Sequence, residues 1–278
     1  MASGCSPISF EFFPPKTAEG RTRLLEKTTP RLQELRPEFF SVTYGAGGST
    51  RDNTLYIVTE LARGGYDVAP HLSFGNDDDA AITALLDSYR DLGVNRIVAL
   101  RGDLPSGIGG GRLVHASELV AFIREHSGDH FHIEVAAYPE IHPQADSYDR
   151  DIEHLKNKLD AGADSAITQY FYNVEAYFYF LDRCAAVGID KPIVAGIMPI
   201  TNYENLARFS RNCGAEIPRW ICKRLEGYAG CKESVTKFGI EVVTQLCQTL
   251  LDSGAPGIHF YTMDQAEPVT TICRQLDL

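Results

Sequence analysis

Eight short runs rich in β-branched and aromatic residues punctuate the chain: Ile8 to Phe13, Phe39 to Tyr44, Val68 to Phe74, Ile97 to Gly102, Ile133 to Tyr138, Ala166 to Tyr172, Ile193 to Met198 and Ile258 to Met263. Each reads as a strand. Between them apolar residues recur at helical spacing: over Ala80 to Leu92, the side chains of Ala81, Leu85, Leu86 and Tyr89 share a stripe, and Ile152 to Ala161 and Val174 to Val187 repeat the pattern. Gly93, Gly162 and Gly188 close these segments, as glycine does at helix ends. Successive strands lie about thirty residues apart, the size of one strand–helix–strand unit, except that the seventh and eighth are separated by about twice that. That longer interval predicts extra helices around Tyr203 to Asn212 and Pro218 to Glu226. Eight such units with no composition break or Ser/Gly linker predict an α/β fold, a single (β/α)8 TIM barrel spanning 1–278, rather than a doubly wound sheet.

In a barrel, side chains alternate between the interior and the helix layer, and chemistry sits at the C-terminal ends of the strands. Polar residues break the strands at those places. The first strand sets Ser9 and Glu11 opposite Ile8, Phe10 and Phe12, and the second pairs Ser41 with Thr43. The third adds His71, the fourth puts Ala99, Arg101 and Asp103 on one face, the sixth gives Gln169, and the eighth gives His259 and Tyr261. Glu11 stands among aromatics in Phe10-Glu11-Phe12-Phe13, so burial should raise its pKa, and an ionised Asp103 nearby should raise it further. Glu11 is therefore expected to stay protonated near neutrality and to act as a general acid. The competing expectation is a buried structural ion pair between Glu11 and Arg101.

Composition narrows the chemistry. The chain has 278 residues, 26 Lys and Arg against 37 Asp and Glu, a net charge of −11 and 44% hydrophobic residues. An acidic chain without a basic run is a poor match for nucleic acid or an anionic membrane, which leaves small metabolites as expected partners. No stretch approaches the ~18 apolar residues of a membrane span, and Met1 to Ser9 lacks the features of a signal peptide, so a cytoplasmic location is expected. The seven cysteines contain no Cys-x-x-Cys pair and read as reduced packing residues.

Several patterns have plain structural readings. Gly45-Ala46-Gly47-Gly48-Ser49 fits a tight strand-to-helix turn better than a dinucleotide fingerprint, since Thr50 stands where the third glycine belongs. Ser106 to Gly111 lacks the Lys-Ser/Thr of a phosphate loop and reads as a surface loop with the composition of a lid. His126, His130 and His132 precede the fifth strand, at the non-catalytic end of a barrel, and no metal site is assigned to them. Asp77-Asp78-Asp79 reads as a helix N-terminal cap. His-Glu-x-x-His and Gly-x-Ser-x-Gly are both absent, so zinc hydrolysis and a nucleophile elbow lack support.

Six runs in order resemble bacterial methylenetetrahydrofolate reductases: Ser9-Phe10-Glu11-Phe12-Phe13-Pro14-Pro15, Ser41-Val42-Thr43-Tyr44-Gly45-Ala46, Ala99-Leu100-Arg101-Gly102-Asp103-Leu104-Pro105, Ala136 to Pro143, Ala166-Ile167-Thr168-Gln169 and His259-Phe260-Tyr261-Thr262. They span almost the whole chain. The resemblance implies an FAD-dependent barrel enzyme of one-carbon metabolism, feeding methionine synthesis. It would use NAD(P)H, with NADH favoured, to reduce 5,10-methylenetetrahydrofolate to 5-methyltetrahydrofolate in a ping-pong hydride relay. It assigns catalysis to Glu11 as general acid, Asp103 beside the flavin and pterin, and Gln169 as a folate-contacting amide.

For FAD the resemblance carries over to Thr43, Tyr44, Ala46, His71, Arg101, Gly102, Asp103, His115, Ala116, Tyr138, His142, Asp151, His154 and Lys158, with Arg101 and Lys158 supplying charge for the pyrophosphate. For substrate it points to Gln169, Asn205, Phe209, Tyr261 and Gln265. Three positions depart from the family pattern: His154 where Asn is frequent, Asn205 where Gln is frequent, and Gln265 in place of Arg. A homo-oligomer is expected. Two other readings compete: a flavin-free barrel lyase or hydrolase using Glu11 and Asp103 as an acid/base pair, and a non-catalytic folate- or flavin-binding module.

Overall fold

A computed structural model describes residues 7–44, 48–75, 77–101 and 115–278, the side chains of 48–50 excepted. Eight parallel strands close into a barrel in chain order: β1 (Ile8–Phe12), β2 (Phe40–Val42), β3 (Val68–Leu72), β4 (Arg96–Ala99), β5 (His132–Ala137), β6 (Ser165–Thr168), β7 (Ile193–Ile197) and β8 (Ile258–Tyr261). β8 pairs with β1 in register, Ser9 opposite His259 and Glu11 opposite Tyr261. The strand and helix positions follow the periodicity closely, including helices Tyr203–Cys213 and Arg219–Gly227 in the long interval after β7, where Lys232–Asp252 is a third.

The strands are apolar on both faces because one face lies under helices and the other fills the barrel. Outward residues such as Phe10, Phe12, Phe40, Ile97, Ile133 and Val135 join the helices in one core. In helix Asp79–Asp91, Ile82 rather than Ala81 completes the stripe of Leu85, Leu86 and Tyr89, and Asp78 caps its start by accepting the Ala81 N–H at 2.8 Å. Inside the barrel, Phe39, Ala69, Val98 and Ile167 form a separate apolar plug with Leu100 and Val194. This corrects the expected inward face of the fourth strand. Val98 points inward, Ala99 joins the outer core, and β4 ends there, so a loop rather than the strand pleat directs Arg101.

Toward the N-terminal ends of the strands, beyond the plug, lies an ionic network. Glu134, 2% exposed, accepts from Arg96 Nη1 and Ser165 Oγ, both at 2.5 Å, and lies 3.2 Å from His132 Nε2. The Arg96 guanidinium also stacks over the Phe39 ring at 4.4 Å. Burial pushes the Glu134 carboxyl up, but His132, Ser165 and Arg96 together hold it below its ordinary value. His126 pairs with Asp87 and His130 bonds the Val94 carbonyl, so all three histidines of that segment have protein partners away from the catalytic end.

Glu134→Ala should lower unfolding free energy by about 3 kcal/mol, because it removes the buried partner of the half-buried Arg96 guanidinium and of Ser165. Arg150→Ala, which breaks the exposed pair with Glu153, should cost less than about 1 kcal/mol. Because the folded-state pKa of Glu134 is depressed, its contribution is complete above the unfolded value of 4.5 and is lost as pH falls below it. Urea titrations of both variants test this, and equal losses would contradict it.

Candidate active site

Strand alternation brings Ser9, Glu11, Ser41, His71 and His259 into one buried cluster above the apolar plug. Glu11 Oε2 lies 3.3 Å from His71 Nε2 and 3.5 Å from His259 Nε2. On its other side His259 Nδ1 is 2.6 Å from Ser9 Oγ, and its Nε2 is also 3.4 Å from Ser41 Oγ. Glu11 is 5% exposed, and burial alone would raise its pKa. The two imidazoles outweigh burial and bring it down to about 2.

The expectation of a protonated Glu11 is therefore corrected: the free protein holds a carboxylate. The aromatic neighbours in sequence, Phe10 and Phe12, point to the other face of β1 and join the outer core, so they do not surround the carboxyl group. Its partners come from β3 and β8. Arg101 is not among them, because its guanidinium donates to Gln144 in the loop after β5, which removes the Glu11–Arg101 pair.

The end of β8 frames this cluster. The Tyr261 hydroxyl donates to the Thr168 carbonyl at 2.7 Å, and its ring meets His259 edge-on at 5.4 Å. Gly196 makes room for it: a Cβ there would stand 1.9 Å from the Thr168 carbonyl oxygen and 2.8 Å from the Tyr261 ring. Thr262 Oγ1 donates to the Glu11 carbonyl at 2.7 Å and so ties β8 to β1 beside the carboxylate.

The described residues expected to hold FAD lie on β3 or follow β2, β4 and β5, through the helix after β5. Thr43 and Tyr44 follow β2, and Tyr44 donates to Asp77, which also receives Arg51 at 2.8 Å. His115 and Ala116 open helix Ala116–Ser127, and the His115 ring is nearly parallel to that of His154, with centroids 6.3 Å apart. Tyr138 packs edge-on against His142, whose N–H donates to Asp151 at 2.8 Å. Lys158 differs from expectation. Its ammonium turns inward to the Ala136 carbonyl, and burial, partly opposed by Asp151, lowers its pKa to about 8. Ala46, Gly102 and Asp103 lie outside the described residues, as does the loop Ser106 to Gly111.

On the substrate side, Gln169 follows β6, and its side-chain oxygen accepts the Tyr170 N–H at 3.0 Å. Asn205 and Phe209 lie on helix Tyr203–Cys213, where Arg208 donates to Asn205 and sits over Phe209. Gln265 is exposed beyond β8. Sequence reasoning missed Glu140. Its Oε2 accepts the Glu216 N–H at 2.8 Å, while Oε1 is buried without a hydrogen-bond partner among the described residues. Tyr170, bonded to Ser210 at 3.0 Å and receiving Cys213 Sγ, completes the clasp on the end of the Phe209 helix. No motif carries that signal, because the partner segments meet only in the folded chain.

A sequence model of the family described as methylenetetrahydrofolate reductase matches residues 1–277. The chain belongs to the methylenetetrahydrofolate reductase family. It is 40% identical to the 5,10-methylenetetrahydrofolate reductases of Escherichia coli (strain K12) and Pectobacterium carotovorum, in each case across 97% of this chain and 90% or 89% of the relative. It is 38% identical to a probable methylenetetrahydrofolate reductase (NADH) of Oryza sativa, covering 49% of that longer protein. The barrel is also similar to a solved structure, an uncharacterized protein from Clostridium thermocellum that binds two copies of 5-methyl-5,6,7,8-tetrahydrofolic acid. There the TM-score is 0.73 at 18% identity, covering 98% of this chain and 95% of that one, a likeness of fold alone.

Within this member of the methylenetetrahydrofolate reductase family, burial raises the Glu140 pKa from 4.5 to about 7, against the pull of the Glu216 N–H. The folded state thus binds more protons than the unfolded state between those values, and stability falls as pH rises through the window. Glu140→Gln keeps the acceptor and removes the charge. Thermal melts from pH 4.5 to 7.5 should therefore show wild type losing stability relative to this variant as pH rises, and a constant difference would contradict it.

Proposed function

We propose that this chain reduces 5,10-methylenetetrahydrofolate to 5-methyltetrahydrofolate with NADH as the preferred reductant and FAD as its cofactor. Membership of the family supports the reaction class. The observation that carries the chemical reading is the buried carboxylate of Glu11 between two imidazoles at the catalytic end of the barrel. Thr43, Tyr44, His115, Tyr138 and His142 are the groups that would hold a flavin dinucleotide, with Arg101 as a guanidinium for its diphosphate in a chain of net charge −11, whereas Lys158 is turned inward to the Ala136 carbonyl. His71 Nε2 adds a buried ring nitrogen without hydrogen-bond geometry to any partner among the described residues. FAD, when bound, would supply a ring that takes hydride from the nicotinamide and delivers it to the folate.

Glu11 then does proton work. Its carboxylate lies 3.3–3.5 Å from two imidazole nitrogens. Glu11 takes up a proton from water at the mouth and donates it to a folate nitrogen as the methylene bridge opens. Gln169, Tyr261 and Phe209 line the approach and orient the pterin and its aromatic extension, and Asn205 contacts the substrate from the start of the Phe209 helix.

Anaerobic mixing of the FAD-loaded protein with NADH should bleach the flavin, and methylenetetrahydrofolate should then restore its colour. Glu11→Gln should still bleach but slow the recovery by about 10²- to 10⁴-fold, the usual worth of a general acid. Equal damage to both steps would contradict the assigned role. A protein that takes up no flavin would overturn the cofactor.

A further inference from the structure

The turn after β8 contains a half-buried carboxyl group, that of Asp264, close to Glu11. Met263 and Asp264 both adopt left-handed backbone conformations, with φ of 51° and 58°, a pairing that non-glycine residues hold only when their surroundings demand it. Aspartate is among the side chains that tolerate this region best. The conformation turns the Asp264 carboxylate back toward β1, where Oδ1 accepts the Phe13 N–H at 2.9 Å. Its own N–H donates to Thr262 Oγ1 at 3.2 Å, and that hydroxyl donates to the Glu11 carbonyl. The Asp264 carbonyl accepts Thr28 Oγ1 at 3.3 Å, from the π-helical turn Leu24–Thr28. The backbone of Glu11 and Phe13 is thus held from the β8 side at two successive points, the Glu11 carbonyl and the Phe13 N–H.

We propose that Asp264 is a positioning residue for Glu11: its carboxylate, gripping the Phe13 N–H, fixes the end of β1 and so the aim of the Glu11 side chain at its substrate. This rests on the reading of Glu11 as the proton donor. The charged groups facing Asp264 are Glu11 from β1 and Arg23 from helix Ala18–Arg23. Burial raises the Asp264 pKa to about 6, Glu11 adds to the rise, and the Phe13 N–H and Arg23 oppose it. Titration of Asp264 near pH 6 therefore weakens its grip on the Phe13 N–H as the carboxylate is protonated.

The test compares Asp264→Gly, which fits a positive φ without strain but offers no acceptor, with Asp264→Asn, which keeps the acceptor and loses the charge. On FAD-loaded enzyme, flavin reduction by NADH and reoxidation by methylenetetrahydrofolate are followed separately from pH 5 to 8. Asp264→Gly should slow reoxidation by about tenfold or more, the scale of a small misalignment, with reduction nearly unaffected. Asp264→Asn should recover most of that rate and lose an inflection near pH 6 that wild type shows. Wild-type reoxidation in Asp264→Gly, or equal slowing of both steps, would overturn the proposal. The pH profile of Asp264→Asn gives a second test that does not depend on how well the glycine variant folds, and an inflection retained there would also overturn it. Wild-type enzyme that methylenetetrahydrofolate never reoxidises would instead refute the functional reading, and the proposal with it.

Discussion

Strand alternation in a closed parallel barrel governs this molecule. Every second residue must point into an interior that helices cannot cover, and the chain fills it in three layers. At the N-terminal end Arg96, His132, Glu134 and Ser165 neutralise one another. In the middle Phe39, Ala69, Val98 and Ile167 exclude water. Above them Ser9, Glu11, Ser41, His71 and His259 form the reactive layer. The two polar layers contain the same kinds of groups, but a guanidinium holds the lower carboxylate, whereas among the described residues two imidazoles lie against the upper one. Removing one residue from a strand would reverse these assignments downstream, because the side-chain period is two.

The energetics of Glu11 follow from that placement. Burial is the largest single influence on it and acts against the charge, yet two imidazoles tip the balance toward the carboxylate. Such a group is poised between opposed effects. Under the proposed function this carboxylate takes up a proton from water before it serves as the acid. Asp264 belongs to the same balance, since its charge faces Glu11 while its hydrogen bond fixes the strand end that carries it.

The barrel was legible because its eight apolar runs and amphipathic intervals repeat at one spacing, and that period survives local irregularities. Most of the polar layer was legible for the same reason: Ser9, Glu11, Ser41, His71, His259 and Tyr261 lie on the strands where alternation put them, whereas Gln169 follows the end of β6. Legibility failed where through-space partners decide. The charge of Glu11 depends on His71 and His259, far off in sequence, rather than on the adjoining phenylalanines. Arg101 lies beyond the end of β4, so counting along the strand misdirected it. Lys158 was expected to supply charge for a pyrophosphate, but its long side chain folds back onto the Ala136 carbonyl. Glu140 and Asp264 gave no sequence signal, because their partners, the Glu216 and Phe13 backbone N–H groups, belong to segments joined only by folding.

Infrared difference spectroscopy of the free protein against Glu11→Gln reads the protonation state of this one carboxyl group. At neutral pH the wild-type protein should show the bands of an ionised carboxylate at Glu11 and no protonated-carboxyl band from it, with the proton appearing only as pH falls toward about 2. A protonated-carboxyl band from Glu11 at pH 7 would contradict the imidazole clamp and return the residue to the behaviour of an isolated acid buried among aromatics.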